Sequence, residues 1–168
     1  MATFGQTGDQ AGSSASSADK TSVSQASPSE SGTVYAGRMR LWMTSGSTTA
    51  RMVIYSYSSG APGTKLASSD PLTVSNTTEQ EIEFTFSGAD MIGVTAGVEY
   101  FIGATWQDPG SASINLSRGS TAGGRQENSS YNVSPFGSPT VLTGPIDAYI
   151  LFNPVSADAD DGGFFEFF

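Results

Sequence analysis

The sequence predicts an all-β fold, an antiparallel β-sandwich of short strands that ends in an extended C-terminal tail. Three observations predict it. Hydrophobic residues make up 37% of the chain and charged residues 14%, with Ser, Thr and Gly dominating the rest, a balance that suits turn-rich sheets better than helices. Apolar and polar residues alternate in several short runs bounded by Gly, Pro, Ser or Asn. No long segment holds a 3.6-residue period free of Gly, Pro or β-branched runs. The length of 168 residues accommodates one domain with a proper core and a tail. We place the sandwich, including an extended Ser-rich N-terminal part, at 1–152 and the tail at 153–168.

Taken in order, residues 9–32 are mostly Ser, Ala, Gly, Asp and Gln, with too few large apolar side chains to supply a core, and predict an extended arm or irregular opening strands. Thr33 to Met43 alternates, with Met39, Leu41 and Met43 on one face and Arg38, Arg40 and Trp42 on the other, as a half-buried strand does. Arg51 to Tyr57 is a β-branched and aromatic strand, closed by a tight surface loop over Ser58 to Gly63, where Pro62 and the glycines set the turn. Leu72-Thr73-Val74 is a short strand. Glu79 to Phe86 points Ile82, Phe84 and Phe86 inward and Glu81, Glu83 and Thr85 outward. Val98 to Trp106 is apolar on both faces, as a central strand is when covered twice or touching a neighbour. Ala112 to Arg118 and Ile146 to Phe152 complete a set of about eight strands, the spacing of a sandwich or barrel. Gly119 to Ser134 reads as a long polar loop of the kind that carries recognition on a rigid scaffold.

Charge and composition exclude several functions. The net charge is −9 and the seven basic residues are dispersed, so no basic stripe is present for phosphates and nucleic-acid binding is not expected. The chain has no His and no Cys, which removes the commonest catalytic bases, nucleophiles and soft metal ligands. Glu81 and Glu83 stand about 7 Å apart by strand geometry, but they alternate with inward Ile and Phe as solvated residues do. No enzymatic activity, cofactor or metal is expected. No apolar run reaches the roughly 18 residues of a membrane span, and the first residues lack the basic and apolar regions of a signal peptide.

The tail carries the strongest single signal. Asp158-Ala159-Asp160-Asp161-Gly162-Gly163 leads into Phe164, Phe165, Phe167 and Phe168. Each phenylalanine is worth roughly 1.5–3 kcal/mol when buried, and a terminus has little structure of its own to bury them. These four residues are therefore the expected partner-binding set, with the aspartates as a hydrated spacer that keeps them soluble. The alternatives are a tail that folds back as the last strand of its own core, and Asp158, Asp160 and Asp161 as the beginning of a calcium loop that lacks its downstream Glu. Among the aromatic residues, Trp42 is out of phase with the inward side of its strand and is the best candidate to touch a ligand. Arg125, Asn128 and Tyr131, in the polar loop, complete a candidate ligand-binding set.

Six segments together resemble a known module. They are the opening ATFGQT over 2–7, Ser17-Ala18-Asp19-Lys20, Glu30-Ser31-Gly32-Thr33-Val34, ARMVIYSYSSGAPGTKLASS over 50–69, Val94 to Gly103, and Ser134-Pro135-Phe136-Gly137. In this order and spacing they look like the jelly-roll-like β-sandwich module of bacteriophage virion proteins and bacterial surface proteins, which is similar to carbohydrate-binding modules. The resemblance covers residues 2–152. It implies a structural, non-enzymatic virion component, a capsid decoration or minor head protein made in the host cytoplasm and carried in the particle. Its expected partners are capsid or tail subunits and other copies of itself. Host glycan recognition as a tail-associated or surface module, and a filament subunit, are the alternatives. The tail from 153 onward is absent from the common module, and that departure favours assembly over simple sugar binding.

Overall fold

The computed structural model describes residues 1–7, 12–119 and 124–155. The phenylalanines at 164, 165, 167 and 168 and the acidic spacer before them lie outside the described residues. The strands in chain order are β1 (Ala2–Gly5), β2 (Gly12–Ser16), β3 (Lys20–Ala26), β4 (Gly32–Met43), β5 (Thr48–Ser58), β6 (Ala61–Ser68) and β7 (Leu72–Val74). They continue as β8 (Gln80–Thr85), β9 (Gly93–Val94), β10 (Tyr100–Trp106), β11 (Ile114–Arg118), β12 (Gly124–Asn128), β13 (Thr140–Thr143) and β14 (Ala148–Pro154). The one helical turn among the described residues is a 3₁₀ turn at Gly88–Asp90. No helix there is long and apolar enough to cross a membrane.

The strands form two antiparallel sheets. The first runs β1-β14-β4-β11-β2, with β8 and β9 also paired to β4, and the second runs β13-β12-β3-β10-β5-β6, with β7 on β5. Alternation decides what lies between them. Met39, Leu41 and Met43 of β4, Phe84 of β8 and Ile150 and Phe152 of β14 meet Met52 and Ile54 of β5 and Ile102, Ala104 and Trp106 of β10 in one buried core. The protein is an all-β sandwich, as the alternating runs predict. The inward and outward residues of β4 and β8 fall as expected, with Ile82 only partly buried at the rim.

Every residue of β10 is buried, and the two faces are buried differently. Tyr100, Ile102, Ala104 and Trp106 enter the core between the sheets, whereas Phe101 joins Val23, Val53, Tyr55 and Phe136 in a second, smaller cluster on the outer face of the second sheet. The lid of that cluster is the segment after β12. The Tyr55 and Phe136 rings meet edge to face at 5.1 Å, and the Phe136 amide donates to the Gly63 carbonyl at 3.1 Å.

Three expectations need correction. The Ser-rich stretch is not an arm: β3 is an interior strand of the second sheet, held between β10 and β12. Small hydroxyl side chains serve there because hydrogen bonds satisfy them. Thr21 donates to the Ser130 carbonyl at 2.7 Å, and Ser24 accepts from the Ile146 amide at 3.0 Å. The predicted long polar loop contains β12, whose inward residues are charged rather than apolar and so give no alternation signal. The strand set is also larger than about eight, because β1, β2, β9, β12 and β13 are short or polar.

Candidate functional site

The four residues proposed as a ligand-binding set are not brought together. Trp42 is half-buried and alternates away from the core on the outer face of the first sheet, where its strand neighbour in β11 is Asn115. Arg125 points between the sheets and is buried. Its Nε donates to Glu127 at 3.0 Å, Nη1 to the Thr143 carbonyl at 3.3 Å, and Nη2 to the Ser14 hydroxyl of β2 at 3.0 Å. Glu127 also accepts from Lys20 at 3.0 Å. This network ties the two sheets together, and three of the guanidinium's five donors are engaged inside the fold.

Asn128 and Tyr131 lie at the outer face of the second sheet, also engaged. The Asn128 amide donates to the Phe136 carbonyl at 2.5 Å, and the Tyr131 hydroxyl accepts from Arg51 Nε at 3.0 Å. Beside them Lys65 donates to the side chain and carbonyl of Asn132 at 2.7 and 3.0 Å. Burial lowers the Lys65 amine below its ordinary range, Arg51 pushes the same way, and Asp90 opposes them. The segment 129–136 is thus fastened across the sheet by polar and apolar contacts together, with the Tyr55 hydroxyl reaching the Val133 carbonyl at 2.5 Å.

The carboxylates of β8 are likewise partnered. Arg38 donates to Glu83 at 2.8 Å and to Glu81 at 3.2 Å, and Arg40 lies 3.7 Å from Glu79 and 3.4 Å from Asp147. The hydrogen bond to Glu83, and then that to Tyr149, hold the Arg38 guanidinium above its ordinary range. Glu81 and Glu83 share one arginine rather than flanking an open site. Among the described residues, no group of three or more His, Cys, Asp or Glu is placed to hold a metal ion.

The feature that sequence reading missed is a groove of about 600 Å³ at one end of the second sheet, within the size range of ligand pockets. Tyr57, Leu66 and Val98 line it and are 39%, 40% and 43% exposed, an open apolar surface. The Tyr57 ring lies parallel to Phe101, 6.0 Å between centroids and 4° between planes, which fixes its orientation. Ser27, Gly97 and Glu99 form part of the rim. Two of its polar groups are already partnered: Glu99 accepts from the Gln25 amide, and Ser56 accepts from the Thr64 amide at 3.0 Å. The sequence carries a faint sign of the groove. Leu66 and Val98 are apolar residues at the ends of polar stretches, each next to a turn or a register shift that releases it from the alternating pattern.

Val155, the last described residue, is tied to the turn that borders this groove. Val155, directly after β14, donates its amide to the Ser31 carbonyl at 2.9 Å. The Ser31 hydroxyl accepts from the Ala96 amide at 3.0 Å, and the Gly97 amide donates to the Pro28 carbonyl at 2.9 Å. Ala96 and Gly97 lead directly into Val98 of the groove. No protein-family model matches the chain, and no curated protein matches it.

Proposed function

We propose that this chain is a structural, non-enzymatic component of a bacteriophage virion, a capsid decoration or minor head protein that docks through Phe164, Phe165, Phe167 and Phe168. The observation that carries the reading is the division of labour along the chain. Within the sandwich, Arg125, Asn128, Tyr131, Arg38 and their partners are engaged with one another, while the sequence beyond Val155 concentrates four large apolar side chains behind an acidic spacer. A rigid module with a separate apolar end suits multi-copy attachment to a particle, where docked phenylalanines offset the ordering cost of association. The resemblance over residues 2–152 supports the same reading.

The test is incorporation into particles. A chain lacking Gly163 to Phe168 is expected to be lost from purified particles when produced with the other structural proteins of its phage. Incorporation at the level of the intact chain removes the anchoring role.

A further inference from the structure

We propose that the groove lined by Tyr57, Leu66 and Val98 is the seat of the tail phenylalanines of the same chain before assembly. The proposal rests on the reading of the tail as the docking element and adds the surface that covers it until a particle does. Two observations select this occupant. The first is position: Val155 is bonded to Ser31, and Ser31 to the 95–98 turn that forms one wall of the groove. Phe164 follows Val155 by nine residues that include Gly162 and Gly163. Nine residues reach at most roughly 30 Å when extended, enough to return to a wall beside their own origin. A covalent tether of so few residues holds its ends at effective concentrations of about 1 mM, well above what a neighbouring copy supplies in dilute solution.

The second observation is the chemistry of the lining. Two aliphatic side chains and one aromatic ring stand open to solvent, while Ser56 is bonded to Thr64 and Glu99 to Gln25. A sugar needs several converging polar groups to replace the water on its hydroxyls. An aromatic side chain needs apolar area and a ring to pack against, and Tyr57 is held parallel to Phe101 to provide one. The occupant favoured is phenylalanine.

The test compares the full chain with the full-length variant in which Phe164, Phe165, Phe167 and Phe168 are all replaced by alanine. The methyl resonances of Leu66 and Val98 are followed by carbon-13 NMR across a dilution series. The expected result is a shift of both methyl sets between the two proteins that is independent of concentration. In the full chain carrying Leu66→Glu, a change at an exposed position outside both apolar clusters, the Val98 methyls are expected to move to their position in the alanine variant. Identical methyl signals in the two proteins overturn the proposal. So does a difference that vanishes on dilution, which assigns the groove to a neighbour's tail, or a response to neutral hexoses without a response to the tail, which assigns it to a glycan. Incorporation of the alanine variant into particles, measured in parallel, separates the two readings. Lost incorporation with unmoved methyls removes the groove alone, and retained incorporation with moved methyls removes the anchoring role alone.

Discussion

The hydroxyl of Tyr55 donates to the carbonyl of Val133 at 2.5 Å, joining the middle of the second sheet to a segment 78 residues further along the chain. Burial raises the Tyr55 hydroxyl above the ordinary tyrosine range. The folded value exceeds the unfolded one, so this contribution to stability is fully present below about pH 10 and is lost as pH rises through the folded value. Tyr55→Phe is expected to cost about 1 kcal/mol at neutral pH from the lost hydrogen bond. It is also expected to flatten the decline in stability above pH 10. Urea unfolding at a series of pH values measures both effects, and a decline as steep as that of the unsubstituted chain shows that another group drives alkaline unfolding.

Arg125 and Glu127 are both buried, with relative exposures of 6% and 8%, so their ion pair behaves unlike the surface pairs of Arg38. Removing one member strands the other in the space between the sheets. Arg125→Ala is expected to destabilise the fold by about 3 kcal/mol or more, and Glu127→Gln to lose less because the amide still accepts from Arg125. Denaturant midpoints report the order, and an Arg125→Ala chain as stable as the parent rules out a sheet-tying role.

The apolar half of this fold was legible in the sequence, and the polar half was not. Met39, Leu41, Met43, Ile82, Phe84 and Phe86 alternate cleanly because one face of their strands meets the core and the other meets water. Lys20 to Ala26 and Gly124 to Asn128 break that rule, since Ser22, Ser24, Arg125 and Glu127 face inward as a hydrogen-bonded network. Alternation counts such residues as outward. The same limit hid the groove. Tyr57 is read as one more strand aromatic until Phe101 is found parallel to it, and the proximity of Val155 to Ser31 and the 95–98 turn depends on pairing across more than half the chain.

Gly103 lies at the centre of β10, where the neighbouring strand β3 approaches closely. A Cβ added there would lie 2.1 Å from the Ser22 carbonyl oxygen and 2.5 Å from the Ile146 side chain. The first of these atoms is backbone of a paired strand and cannot turn aside, so Gly103→Ala must part β10 from β3. An expected loss of about 3 kcal/mol follows, at the upper end for overpacking. Thermal unfolding checks it, and an unchanged midpoint shows that the sheet absorbs the methyl group by sliding.

Ser59 and Gly60 form the two-residue turn between β5 and β6, with φ of 51° and 87°. Positive φ at both positions is the pattern of a type I′ turn, whose twist matches that of the flanking strands. The predicted loop over Ser58 to Gly63 is therefore shorter than expected, since Ala61, Pro62 and Gly63 already belong to β6. Serine is a poor occupant of the left-handed region and asparagine a good one. Ser59→Asn is expected to stabilise the chain by roughly 0.5 kcal/mol, and Gly60→Ala to destabilise it by about 1 kcal/mol, the penalty of placing a Cβ in that region. No atom lies within 3.4 Å of the added Cβ at Gly60, its nearest neighbour being the Tyr57 hydroxyl at 3.9 Å, so the loss measures backbone strain alone. The Gly60 carbonyl also accepts from Gln126 at 2.7 Å. If Gly60→Ala loses several kcal/mol instead, the turn must have shifted far enough to break that bond, and Gln126→Ala in the same background then costs nothing further.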